Sequence, residues 1–113
     1  MKIAKFEDII AWQKSRDLTL AVYGAFRNIK DFSFRDQIQR ASVSVMNNIA
    51  EGFERKGNKE FGRFLCISNG SCGEVRSMLY SRRRASEMGM FLHFHFRAEE
   101  LIYAKHIIPS LGH

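Results

Sequence analysis

A single proline, Pro109, stands in this 113-residue chain, so the first hundred positions hold no residue that forbids a helix. A β sandwich of this length needs many turns, which proline and glycine clusters usually mark. An uninterrupted backbone favours a few long helices instead, and the apolar spacing agrees. Steps of three and four dominate from end to end, and strand-like alternation is confined to Phe91–Phe96.

The spacing predicts four helices. The first spans Asp8 to Asn28, with Asp8 as its N-cap and Ala11, Ser15, Leu18, Val22, Ala25 and Ile29 as its inner stripe, widened by Trp12, Thr19 and Phe26. Lys30 to Ser33 form the turn. The second spans Phe34 to Arg55 on Phe34, Ile38, Ala41, Val45, Ile49 and Gly52. Gly57 then occupies the expected left-handed C-cap position, and Asn58 caps the third helix. That helix runs from Lys59 to Met88, with Phe61, Phe64, Leu65, Ser68, Cys72, Val75 and Leu79 inward, and Gly89 ends it. The fourth, His93 to Ile108, rests on Phe94, Ala98, Leu101 and Ile108, with Lys105 interrupting the face. The fold class expected is all-α, an antiparallel up-and-down four-helix bundle, with residues 1–113 forming one domain. A chain of this size buries roughly two thirds of its unfolded surface and needs no disulfide or metal to hold it.

Helix three carries a second stripe, of small residues: Gly62, Cys66, Gly70, Gly73, Ser77 and Ser81 recur at steps of three and four. Glycine in a solvated helix costs about 1 kcal/mol relative to alanine. Small side chains let another backbone approach closely. The stripe therefore packs either against another subunit or against the chain's own neighbouring helices.

Catalytic signals are absent from the pattern. Di-iron bundles need paired Glu-x-x-His motifs, and none of His93, His95, His106 and His113 has a glutamate three positions before it. None has an arginine five positions before it either, a spacing used by small toxin-type ribonucleases. No nucleophile elbow or phosphate loop occurs. The expectation is a protein with no enzymatic activity, no metal and no cofactor. Cys66 and Cys72 lie about 9 Å apart along one helix, too far for a disulfide, which suits a reducing compartment. The first residues lack an apolar signal core and no segment approaches about 20 apolar residues, so a cytoplasmic protein with no membrane contact is expected.

The formal charge is +6, with a pI of about 9.7. Basic residues gather in two places. Arg55, Lys56, Lys59 and Arg63 surround the turn between helices two and three, and Arg82, Arg83 and Arg84 lie about 30 Å along the third helix. Repeated around a symmetry axis, such clusters would give a charged ring suited to a phosphate backbone. In a monomer they are ordinary solvated charges. Phe91, Phe94 and Phe96 with Met88 and Met90 are assigned to packing. Asn48 and Glu51, one turn apart, sit at the edge of the helix-two stripe beside a helix bearing Ser68, Ser71 and Glu74. They form either a polar network that fixes helix register or subunit pairing, or a solvated flank, the flank being favoured for Glu51.

The segment Arg40-Ala-Ser-Val-Ser-Val-Met-Asn-Asn-Ile-Ala-Glu-Gly-Phe-Glu-Arg55, with Phe6-Glu-Asp-Ile-Ile-Ala-Trp12 before it and Lys59-Glu-Phe-Gly-Arg-Phe-Leu65 after it, resembles the bacterial "four helix bundle protein" family, also called 23S rRNA intervening-sequence proteins. The positions carried over are Trp12, Arg40, Asn48, Glu51, Gly52, Lys59, Phe61 and Glu74. The resemblance implies a four-helix bundle assembled into a ring-shaped homo-oligomer, a pentamer, with no enzymatic activity. A related branch serves as the accessory protein of diversity-generating retroelements, where a basic pentamer engages reverse transcriptase and nucleic acid. The function expected is nucleic-acid binding, RNA ahead of DNA. The alternative is a protein-binding scaffold with no nucleic-acid role.

Overall fold

The computed structural model describes residues 3–82. They form one 3₁₀ turn, Phe6–Asp8, and three α-helices: α1 Ile10–Ala25, α2 Phe32–Glu54 and α3 Asn58–Arg82. No strand occurs among the described residues, so this part of the chain is all-helical. The expected fourth helix, the aromatic patch at Phe91–Phe96, all four histidines and the stretch from Arg83 to Met88 lie outside the described residues.

The central helix, α2, packs against both others. Its contacts run antiparallel to α3, as the paired numbers show: Gln37 meets Glu74, Ser44 meets Ser71, Val45 meets Ser68 and Gly52 meets Phe64. Short connections force this arrangement on sequential helices. The core draws on the inner stripes read from the sequence, except that Ile29, Phe34 and Phe64 are half-buried, Phe64 lying beneath Arg55 rather than in the core. Ala11, Leu18 and Val22 from α1, Ile38, Ala41, Val45 and Ile49 from α2, and Phe61, Leu65, Cys72, Val75 and Leu79 from α3 are all buried. Ser15, Thr19, Ser42 and Ser68 are buried among them. Their hydroxyls are satisfied by main-chain carbonyls. Ser68 donates to Val45 O at 2.7 Å, and Thr19 Oγ1 lies 2.9 Å from Ser15 O and 3.1 Å from Ser42 O. The bonds from Ser68 to Val45 and from Thr19 to Ser42 cross between helices, where such small side chains permit close approach. Among the described residues no buried side-chain polar atom lacks a partner.

Four local expectations are corrected. Asp8 does not cap α1. Its own N–H closes the 3₁₀ turn on Lys5 O at 3.1 Å, and the cap position falls to Ile9, which has no side-chain acceptor but is fully buried. Burying the isoleucine outweighs the side-chain cap, which contributes about 1 kcal/mol. At its other end α1 stops at Ala25 rather than Asn28, and Ala25 is exposed. Phe26 turns inward instead and packs edge-to-face on Phe34 at 5.3 Å.

The second helix begins at Phe32, two residues early, because Asp31 Oδ1 accepts a hydrogen bond from Phe34 N at 3.1 Å. An exposed Phe32 gave no apolar signal for that start. The fourth correction concerns the turn between α2 and α3. The left-handed residue is Lys56, at φ 59°, and not Gly57. Gly57 instead supplies the carbonyl that receives Phe61 N at 2.9 Å, opening α3 one residue before the expected start at Lys59.

Lys56 therefore holds a conformation that costs a side-chain-bearing residue about 1 kcal/mol and glycine nothing. Lys56→Gly is expected to raise folding stability by about 0.5–1 kcal/mol, read by thermal melting. A loss of that size, the usual result of adding glycine, would contradict the turn.

Candidate functional site

The turn between α2 and α3 brings Arg55, Lys56, Lys59 and Arg63 together, as their spacing requires, but it brings carboxylates with them. Arg55 Nη2 pairs with Glu51 Oε2 at 3.1 Å, and its guanidinium lies 5.4 Å from the Phe64 ring centre. Arg63 Nη1 pairs with Glu60 Oε1 at 2.9 Å. With Glu54 also exposed nearby, four cations stand among three carboxylates. Of these four, Lys56 and Lys59 form no ion pair among the described residues. Exposed pairs of this kind contribute about 0–1 kcal/mol, so a phosphate could displace either glutamate. The site can therefore take a polyanion, although its own field is weak.

At the far end of α3, Arg82 is half-buried over an aromatic pair. Its guanidinium carbon lies 4.9 Å from the Phe34 centroid and 5.7 Å from that of Phe26. A cation held over ring faces in this way joins the end of α3 to the turn between α1 and α2. Arg82 thus has a packing role that its place in an arginine run did not reveal. Arg83 and Arg84 lie outside the described residues.

The residues of the recognised motif divide by what they touch. Gly52 and Phe61 meet where α2 and α3 approach too closely for a Cβ at position 52, and Phe61 packs edge-to-face on Phe53 at 5.9 Å. Trp12 packs on Phe6 at 5.1 Å and holds the entering chain against α1. Asn48 Nδ2 donates to Ser44 O at 2.8 Å and lies 3.0 Å from Ser44 Oγ, which in turn is 2.8 Å from Ser71 Oγ. Gln37 Nε2 donates to Glu74 Oε2 at 3.1 Å. Polar links between α2 and α3 are therefore present at two places, Asn48–Ser44–Ser71 and Gln37–Glu74, with Ser44 and Gln37 as the unforeseen members. Ser68 bonds the α2 main chain instead, and Glu51 stays outside both links, paired with Arg55.

These links border an open polar groove of about 560 Å³ between α2 and α3, lined by Asp36, Gln37, Arg40, Ser44, Ser71 and Glu74 among others. Arg40 is exposed and forms no ion pair among the described residues. The groove offers hydroxyls, carboxylates and a guanidinium, a set that can hydrogen-bond a polar ligand or a partner's side chains. Among the described residues its lining includes no histidine or cysteine.

The small-residue stripe of α3 points away from the core. Cys66, Gly70, Ser77 and Ser81 are exposed, and Gly62 and Gly73 are half-buried. A methyl group added at Gly62, Gly70 or Gly73 would meet nothing within 4 Å among the described residues. Two large apolar side chains accompany the stripe, Ile67 at 52% and Tyr80 at 49% exposure. Both thiols are free, Cys66 exposed and Cys72 buried. Burial pushes the Cys72 thiol above its ordinary value, and the nearby Arg76 charge opposes this only in part, so Cys72 behaves as a core side chain.

Among the described residues no group of three or more histidine, cysteine, aspartate or glutamate side chains is placed to hold a metal ion, and no helix is long and apolar enough to cross a membrane. A family model described as 23S rRNA-intervening sequence protein matches residues 7–95. No curated protein and no solved structure matches the chain.

Proposed function

The chain belongs to the 23S rRNA-intervening sequence protein family, and from that premise we propose a non-catalytic helical-bundle protein that assembles into a ring, a homopentamer, and binds nucleic acid, RNA ahead of DNA. The family's description ties it to ribosomal RNA genes. The observation that carries the reading is the outward face of α3. Gly62, Gly70 and Gly73 leave open space for a close neighbour, and Ile67 and Tyr80 give that neighbour apolar surface to cover. Three glycines on a merely solvated ridge would cost about 3 kcal/mol relative to alanine with no return. A second subunit seated there gives them a purpose. The fourth helix of the bundle, cytoplasmic residence in keeping with two free thiols, and the absence of catalysis, metal and cofactor belong to the same proposal.

Assembly also changes the electrostatics. One α2–α3 turn has little net charge, but five copies of Lys56 and Lys59 in a ring would present ten cations along one circuit. Binding to a labelled mixed-sequence RNA should therefore weaken steeply as salt rises, because each neutralised phosphate releases a counterion. Salt-insensitive binding, or none at low salt, would sink the proposal. A second reading, a scaffold whose ring docks a protein such as a reverse transcriptase, draws on one observation: the glutamates that offset the turn's cations. It expects no RNA affinity and one dominant protein partner.

A further inference from the structure

No apolar stripe marks the outer face of α1, yet that face carries arginines with a single carboxylate on the helix, Asp17. Arg16, Leu20 and Tyr23 succeed one another at steps of four and three, and Arg27 comes four residues later in the turn that closes the helix. Arg16, Leu20 and Tyr23 so spaced share one side of the helix, and Arg27 follows in the turn at its end. All four are exposed, Leu20 at 57% and Tyr23 at 43%. Neither arginine forms an ion pair among the described residues. The sole carboxylate of α1, Asp17, sits about 90° round the helix from the centre of this face, at about 100° per residue. The surface continues where the chain turns, although Asp31 stands there and Asp36 pairs with Arg35 at 3.2 Å. Phe26 against Phe34 brings the end of α1 beside the start of α2, which opens with Phe32, 60% exposed, beneath the Arg35 guanidinium at 4.9 Å.

Exposed leucine and tyrosine lie here between arginines that form no ion pair among the described residues, a combination that single-stranded nucleic acid uses. Guanidinium groups neutralise phosphates, and exposed rings stack on bases irrespective of sequence. From Arg16 to Arg27 the face extends about 16 Å, room for about five nucleotides at about 3.4 Å each. We infer that α1, through Arg16, Tyr23 and Arg27, is the docking face for single-stranded RNA, with Phe32 extending it over the α1–α2 turn. This rests on the nucleic-acid reading above and moves the contact away from the α2–α3 turn, where two of the four cations are paired with glutamates.

The test uses the full chain, a fluorescein-labelled oligouridylate and an RNA duplex of equal length, measured by anisotropy over a salt series, with helicity and solution mass checked for each variant. The double variant Arg16→Gln/Arg27→Gln should weaken single-strand binding at least about tenfold and flatten its salt dependence by about one to two phosphate contacts. Tyr23→Ala should weaken the single strand about fivefold or more and leave the duplex unchanged. Lys56→Gln/Lys59→Gln should have a smaller effect. If the wild type binds and the Arg16/Arg27 variant matches it while the Lys56/Lys59 variant fails, this inference is overturned and the nucleic-acid reading survives. If the wild type binds neither probe at low salt, both fall together. A changed mass in the Arg16/Arg27 or Tyr23 variant would assign the face to subunit contact and also overturn the inference.

Discussion

Gly52→Ala is expected to lower folding stability by about 2 kcal/mol, where glycine-to-alanine in an open helix normally raises it by up to about 1 kcal/mol. A Cβ at position 52 would stand 2.6 Å from Phe64 Cβ and 3.2 Å from both Phe64 Cγ and Phe61 Cδ1. The nearest of these atoms is fixed to the α3 main chain, so no rotamer change can clear it. The helices must separate, and that loosens Phe61, Leu65 and Ile49 together. Gly24→Ala is the internal control. Gly24 is exposed in α1 with nothing within 4 Å among the described residues, so alanine there should stabilise through helix propensity alone. Two melting curves decide the matter. Opposite shifts support the close crossing of α2 and α3, and a stabilised Gly52→Ala would show that the crossing is loose.

The second large effect concerns assembly. Gly70→Leu and Gly73→Leu should leave the isolated chain at least as stable, since both sites face open space among the described residues and leucine favours helix. If α3 is the subunit contact of the proposed ring, each added side chain overpacks the interface by about 1–3 kcal/mol, and about 1.4 kcal/mol is tenfold in affinity. The penalty recurs at every interface of the ring. Either substitution should therefore produce monomers of unchanged helicity, seen by sedimentation with circular dichroism. Wild-type assembly in both variants would remove α3 from the subunit contact. Loss of helicity would show that the stripe packs against its own chain.

Gly52 lies on the inner face of α2 and Gly70 and Gly73 on the outer face of α3, and inner faces are easy to read from the sequence. The stripe from Phe34 to Gly52 keeps the helical period without interruption, so the inner face of α2 follows from spacing alone. The same holds for Phe61 to Leu79 in α3. End effects were harder to see, because they depend on competing local contacts. Asp8 and Asp31 look alike as caps, yet only Asp31 is used, since Ile9 must be buried where an Asp8 cap would have placed helix. Lys56 takes the left-handed position although glycine comes next, and no residue pattern distinguishes the two.

Partners across helices were the least legible. Asn48 and Ser71 were expected near each other, but the hydroxyl that links them, Ser44, depends on the axial offset between α2 and α3. Arg82 read as a phosphate-binding arginine because two more arginines succeed it. Only the packing of Phe26 on Phe34 shows the rings beneath it. Arg16, Tyr23 and Arg27 carry no apolar period that would single them out. Periodicity marks the inner side of a helix and is silent about its outer one.

The most direct test of an assembling RNA-binding bundle is the solution mass of the full chain by light scattering, at low and high salt, with and without a short mixed-sequence RNA. A stable multimer of about five chains that gains mass with RNA only at low salt is the expected result. A monomer whose mass ignores RNA at either salt would contradict both the subunit contact on α3 and the nucleic-acid surface together.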